Sequence, residues 1–257
     1  MVDVGQGDSF LLKFPNGETA LVDAGDATRN FDNGERVILP LLNHFGIQKI
    51  DYAFVSHVDA DHYGGFVSLI INKKIKRIFK PQIDSTSIKD IKFENFLHRE
   101  NIPVTYYKKG NMEIGNAKIY FLNNRRIEST VKMSSNNKSG LLKIVYGGTS
   151  ILFTGDLEEK AERQYSAEYK TFLNSDILKV SHHGSKNGSL PAFINFVKPK
   201  ISLISAGLKN KFGHPSNLII KLLRSNKSTI YRTDKSGAIL LTSDGKVFSK
   251  INWRDIE

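Results

Sequence analysis

The sequence predicts an α+β fold in which two sheets pack in the middle and helices lie outside. Three observations lead there. Strand-like apolar runs dominate both halves of the chain, with helical segments interspersed among them. Four strand ends in different parts of the chain, near residues 57, 156, 182 and 214, deliver His or Asp, as a cleft between two sheets requires. No internal repeat, low-complexity tract or linker divides the chain, so a single domain over residues 1–257 is expected.

Taken in order, Gly5 and Gly7 punctuate a loop that carries Gln6 and Asp8, and Ser9 to Phe14 then reads as a strand. Asn16-Gly17 signals a hairpin, and the returning strand, Thr19 to Val22, ends at Asp23-Ala24-Gly25. A helix is expected from about Asn33 to His44 on the stripe Val37, Ile38, Leu41 and Leu42, with Pro40 kinking or restarting it. Tyr52 to Val55 is a buried strand, and Phe66 to Ile71 is a helix or its first turns. A strand at Ile75 to Phe79, a helix near 87–98, and strands at Val104 to Tyr107 and Ala117 to Leu122 follow. Residues 123–140 are polar and aperiodic, which predicts a mobile loop. Strands at Leu141 to Tyr146 and Ser150 to Phe153, a helix at Glu158 to Tyr165 and a strand at Asp176 to Val180 come next. After the strand Pro199 to Ile204, Gly213, His214 and Pro215 mark a tight turn, and Ser216 caps a helix over Asn217 to Leu223. Strands near Thr229 to Arg232, Ala238 to Thr242 and Lys246 to Ile251 close the chain.

At 257 residues the chain can bury a substantial core, and 40% hydrophobic with 25% charged residues is ordinary for a soluble globular protein. The absence of cysteine excludes a disulfide framework and a thiolate metal site, and is compatible with a reducing cytoplasm. No run approaches the ~20 apolar residues of a membrane span, and the N-terminus, with Asp3 and Asp8, does not read as a signal peptide. The net charge of +11 attracts phosphate polymers or acidic surfaces. The basic clusters lie at Lys73, Lys74, Lys76 and Arg77, at Lys108 and Lys109, at Arg125 and Arg126, and at Lys209 and Lys211. None reads as interleaved with aromatics.

The most specific signal is residues 51–65, D-Y-A-F-V-S-H-V-D-A-D-H-Y-G-G. The strand ends abruptly in four metal-ligating types, His57, Asp59, Asp61 and His62. Extended-chain alternation puts the first three on one side, and His62 joins them only if the chain turns. Gly64 and Gly65 let a turn or helix start pass close to whatever the ligands hold. Imidazole with carboxylate suits divalent zinc, manganese or iron. Asp156 repeats the pattern after L-F-T-G. His182 and His183 follow another strand, and on extended chain they point to opposite sides, leaving one for metal and the other for substrate or packing.

These motifs resemble the metallo-β-lactamase superfamily, whose H-x-[HD]-x-D-H motif matches His57, Asp59, Asp61 and His62. Six segments in order narrow the likeness: D-V-G-Q-G-D, S-H-V-D-A-D-H-Y-G-G, L-F-T-G-D, D-I-L-K-V-S-H-H-G-S, F-G-H-P-S and Y-R-T-D-K-S-G-A-I. Together they resemble the soluble domain of ComEC-type competence proteins, from Asp3 to about Ile239. The resemblance implies a four-layer αββα sandwich with one or two divalent ions, manganese, zinc or magnesium, between the sheets. It implies hydrolysis of DNA, single-stranded DNA in particular, in a DNA-uptake context. It places one ion on Asp61, His62 and His182 and another on His57, Asp59 and Asp156, with Asp156 bridging. His183, His214 and Lys179 are then candidates to act on the leaving oxygen, and Asp61 is required for catalysis. Gln6, Asp8, Asn136, Asn137, Ser139 and Ser185 are candidate substrate contacts. Two departures stand out. Asp59 replaces the more common histidine, which shifts the expectation toward manganese or magnesium. No histidine lies between His98 and Asp156, where Asn136, Asn137 and Ser139 stand instead. Full ComEC-type proteins carry membrane spans and often an oligonucleotide-binding domain. The chain is therefore expected to be an excised domain of such a membrane channel, or a free-standing relative, cytoplasmic in that case. Two other readings are a hydrolase of a small phosphodiester, lactone or thioester, and a DNA-binding module with an incomplete metal site.

Overall fold

The computed structural model describes residues 1–123 and 133–252. Strands β1 (Ser9–Lys13) and β2 (Thr19–Ala24) form an antiparallel hairpin. β3 (Tyr52–Phe54), β4 (Ile78–Lys80) and β5 (Val104–Tyr106) add to β2 in parallel, giving a five-stranded sheet in sequence order. The second sheet has seven strands, ordered β12-β11-β10-β9-β8-β7-β6. Its antiparallel part is β6 (Gly110–Ile114), β7 (Ala117–Phe121), β8 (Leu142–Tyr146) and β9 (Thr149–Phe153). Its parallel part continues through β10 (Ile177–Lys179), β11 (Ile201–Ile204) and β12 (Thr229–Arg232). β13 (Leu240–Ser243) and β14 (Phe248–Ile251) make a separate hairpin.

The helices are α1 (Leu39–His44), α2 (Ala60–Ile71), α3 (Ile88–Arg99), α4 (Glu159–Tyr169), α5 (Pro191–Val197), α6 (Asn217–Ser225) and the short α7 (Thr233–Ser236). Three apolar layers hold the sheets and helices together. Between the sheets lie Phe10, Phe54, Phe79, Phe121, Phe153 and Leu203. Leu21, Ala53 and Ile78 on the outer face of the first sheet meet Leu42, Phe66 and Phe93 of α1–α3. Leu152, Leu178 and Ile204 on the outer face of the second meet Tyr165, Phe193 and Leu223 of α4–α6. Period-two alternation divides each strand between layers. Ala20 and Val22 face the other sheet while Leu21 faces helices, and Ile177 and Leu178 divide in the same way. Because both faces are covered, these strands read as continuous apolar runs. The fold is the αββα sandwich.

Several local expectations are corrected. Helix α2 starts at Ala60, not near Phe66. Gly64 and Gly65 do not serve the ligands. A Cβ on either would strike backbone, at Asp26 and Ala27 for Gly64 and at Ala24 and Gly34 for Gly65, so α2 lies directly on the end of β2. Pro40 does restart a helix: one π-helical turn, Gly34–Ile38, passes into α1 with Pro40 in its first turn. Of the expected loop, 124–132 lies outside the described residues. Residues 133–140 are packed, with a 3-10 turn at Asn136–Lys138 and Asn137, Ser139 and Gly140 buried. Strand β6 and helix α5 were missed, although Gly115-Asn116, both with positive φ, is a two-residue hairpin signal and Pro191 stands at a helix start.

Candidate metal centre

Strands β3, β9, β10 and β11 all end at one edge of the sandwich, and the segments after them build the site. After β3 the chain bends at Ser56, Val58 and Asp59 and then enters α2, so Asp61 and His62 arrive in the first helical turn. Extended alternation therefore does not run on through the ligand segment. After β9 comes Asp156. After β10 the chain does not stay extended: His182 (φ 49°) and His183 (φ 52°) are both left-handed, within a 3-10 turn at Ser181–Gly184. Two successive non-glycine residues in that region cost about 1–2 kcal/mol each. They are not sent to opposite sides, and their rings stand 6.2 Å apart.

Among the described residues, Asp61, His62, Asp156 and His183 each bring one ligand atom within 4.8 Å of all the others. Asp156 is the centre: Oδ1 lies 3.3 Å from His62 Nε2, and Oδ2 lies 3.6 Å from His183 Nε2 and 3.8 Å from His182 Nε2. Asp61 Oδ2 is 3.4 Å from His183 Nε2. His62 Nε2 and His183 Nε2 are buried without a hydrogen bond of acceptable geometry. Their other nitrogens are committed. His62 Nδ1 lies 2.9 Å from the Asp23 carboxylate, which accepts only. His183 Nδ1 donates to the Ser205 carbonyl at 2.9 Å. Each partner fixes the tautomer and leaves Nε2 free to face a cation. Two imidazoles and two carboxylates converged on one point fit a divalent metal.

The charge balance points the same way. Burial disfavours the charge on His62, yet Asp156 and Asp23 hold its pKa well above the usual value. Burial likewise opposes the His183 cation, while Asp156 and Asp8 push it up to about 10. Burial works against ionised Asp61, but His183 and His62 bring it down to about 2. Burial also works against ionised Asp156, and His62, His183 and Lys179 hold it well below the carboxylate range. Ligation of a metal would compete with protons at these groups.

Lys179, a strand lysine that ordinarily would be solvated, is fully buried. It pairs with Asp8, stands 3.4 Å from Asp156 and donates to the Gly155 carbonyl at 2.6 Å. A second acidic group, Asp8, Asp23 and His62, already has this ammonium and the His62 imidazole within it. His57 and Asp59 form a pair (Nε2 to Oδ2 3.4 Å), with Asp59 also held by Ser135 and Lys89. No third described ligand joins them at metal spacing. A narrow cleft opens beside His57, between Asp84, Ser135 and Lys138. His214 sits at the rim, its ring 5.5 Å from that of His182. Burial, with His182 and His183 nearby, lowers its pKa.

Five residues expected at substrate are occupied elsewhere. Asp8 is buried beneath His183, 3.5 Å from Nδ1. Gln6 accepts from the Gly207 amide, and Ser185 is a buried turn residue accepting from Asn187 N–H. Asn137 accepts from the amides of Glu158 and Ala161, and Ser139 Oγ accepts from the amide of Asp156. Asn136, half-buried, donates to Glu158. Supporting residues were missed in turn. Asp23 holds His62 and accepts from Ser56 N–H and O–H. Glu158 stands 3.6 Å from His182 Nδ1. Buried Glu162 accepts from Ser181 O–H and the amides of Ser189 and Leu190, bracing both ends of the His182–His183 segment. An acidic residue ending or following each apolar strand was the available signal for Asp23 and Glu158.

The comparisons agree with this geometry. The Metallo-beta-lactamase superfamily model matches residues 2–207. ComE operon protein 3 of Bacillus subtilis (strain 168) is 32% identical over 93% of this chain and 32% of its own length. Competence protein ComA of Neisseria gonorrhoeae is 30% identical over 92% of this chain and 31% of its own. The chain thus spans about a third of the length of the curated relatives it matches. Among solved structures, the metallo-beta-lactamase fold protein YhfI from Bacillus subtilis aligns with a TM-score of 0.57 at 14% identity, covering 90% of this chain and 94% of its own, a likeness of fold. With its fold, its converged His and Asp ligands and these relatives together, the chain belongs to the metallo-beta-lactamase superfamily.

Proposed function

We propose that the chain is a metal-dependent phosphodiesterase acting on DNA, with single strands favoured, in a competence-type DNA-uptake context. The observation that carries this is the Asp61, His62, Asp156, His183 set at the edge of the sandwich. The net charge of +11 and the competence-protein relatives support the choice of DNA. No described helix is long and apolar enough to cross a membrane. Relative to the sequence reading, His183 takes the ligand position given to His182, because its Nε2 lies within the group of four. His182, held by Glu158, is the next nearest ligand, and His57 with Asp59 is the place for a second ion. Manganese or zinc suits this mixture of nitrogen and oxygen donors, and magnesium would use the oxygens.

When bound, a divalent ion supplies a water nucleophile at neutral pH and positive charge for the phosphoryl oxygens. The chain's own residues do the rest. Asp23 and the Ser205 carbonyl keep both imidazoles in the ligating tautomer. Lys179, held by Asp8, balances the buried carboxylates and is too enclosed to reach a leaving oxygen. His214, half-buried at the rim with its ring 5.5 Å from that of His182, is the group placed to stabilise the leaving oxygen there.

The test is cleavage of end-labelled single- and double-stranded DNA by metal-stripped protein given manganese, magnesium or zinc. Asp61→Ala is expected to lose at least ~100-fold in rate while keeping its fold. Undiminished cleavage by a folded Asp61→Ala, or turnover of small phosphodiesters but not DNA, would overturn this reading.

A further inference from the structure

Beside the metal centre, the segment between β11 and α6 carries side chains that the chemistry above does not use. Leu208 and Phe212 are 73% and 56% exposed, on a loop that also carries Lys209 and Lys211. This loop is not slack. Asn210 spans it, donating from Nδ2 to the Gly207 and His214 carbonyls and accepting from His214 N–H at Oδ1. The Gly207 amide is tied to Gln6, and the Ser216 amide to the Gly184 carbonyl. Three rings run outward from the metal ligands in near-parallel order. His183 and His214 are 6.5 Å apart at 23°, and His214 and Phe212 are 5.8 Å apart at 24°. Lys211 Nζ lies 5.2 Å from the Phe212 centroid. The basic cluster at 209–211 is thus joined to an aromatic, contrary to the sequence reading.

An exposed, rigidly mounted aromatic beside flexible ammoniums is how proteins hold single-stranded nucleic acid: a base stacks on the ring and the lysines meet the phosphates. We propose that Phe212, on the ledge 207–214, stacks an unpaired base of the bound strand next to the scissile phosphate. The ledge would thereby set the preference for single-stranded over duplex DNA. Leu208 widens the apolar surface, Lys211 turns from the ring to the backbone, and Asn210 keeps the ledge in place. A duplex offers no free base face here, so it gains only the lysine contacts. This inference rests on the reading of DNA as substrate.

The test separates the two. Binding of a short fluorescein-labelled oligothymidylate is compared with that of an abasic strand of equal phosphate number. Anisotropy is read with manganese present and phosphorothioate linkages to slow cleavage. The wild-type chain is expected to prefer the base-bearing strand about tenfold or more. Phe212→Ala binds the two strands alike, and Phe212→Trp retains the preference. Thermal unfolding of each variant checks the fold, and the exposed position makes a large loss unexpected. A wild-type chain without the preference, or a folded Phe212→Ala that keeps it, overturns the inference. If the preference depends on Phe212 but no ion supports cleavage, the ledge stands and the nuclease reading falls. If DNA is cleaved while Phe212→Ala keeps the preference, the nuclease reading stands and the ledge falls.

Discussion

Asp23 shows how much of the site is decided one atom beyond the ligands. Its carboxylate accepts from Ser56 N–H and O–H, each at 2.7 Å, and meets His62 Nδ1 at 2.9 Å. Asp23→Asn keeps the shape but places an amide group against Nδ1–H. The expected result is a ~10- to 100-fold loss of metal affinity, measured by competition with a chromophoric chelator. Affinity equal to wild type would show that His62 is oriented by something else. Glu162, behind the His182–His183 segment, gives a pH signature of its own. Its burial outweighs three donated hydrogen bonds and raises its pKa from 4.5 to about 7. The folded state therefore binds this proton more tightly than the unfolded chain. The associated stability is complete below pH 4.5 and is lost as pH rises through about 7. The full change is roughly 3 kcal/mol. Urea unfolding midpoints at about pH 5 and about pH 8 are expected to fall with pH, and to differ less in Glu162→Gln.

Elements bring residues together that sequence proximity does not. Helix α2 carries Asp61 and His62, and its position is set by Gly65, where a Cβ would collide with the Ala24 carbonyl and the Gly34 amide. Both obstacles are backbone, so Gly65→Ala must displace the helix or the end of β2. The expected cost is about 1–3 kcal/mol in urea unfolding, accompanied by weaker metal binding. An unchanged midpoint would mean that the helix slides freely. The 3-10 turn at Ser181–Gly184 is the counterpart on the second sheet. Its two left-handed histidines are held by the Glu162 bonds at Ser181, Ser189 and Leu190. Strain at a ligand segment, over-determined by surrounding bonds, is typical of pre-organised sites.

Across the whole molecule, the charge of +11 gives a long-range field that short contacts do not. DNA binding is expected to weaken linearly in a log–log plot against salt, with a slope of about −0.7 per phosphate contacted on a single strand. Anisotropy titrations at several salt concentrations measure it. A flat dependence would remove the phosphate backbone from the interaction and favour a small substrate.

The layered fold and most of the candidate ligands are legible because they follow local rules. The apolar run Tyr52 to Val55 announces a doubly covered strand, and it stops one residue short of His57. His57, Asp59, Asp61 and His62 announce themselves by density. Tertiary structure decided the rest. Which of His182 and His183 joins the group of four depends on two left-handed backbone conformations that residue type does not reveal. The burial of Lys179 depends on Asp8, far away in the chain, supplying the opposite charge. Asn137 and Ser139 became supports because the 133–140 segment packs under Asp156 and Glu158. Sequence carries the period and chemistry of side chains. Partnership across sheets, and the desolvation that makes each partner necessary, exists only once the chain has closed on itself.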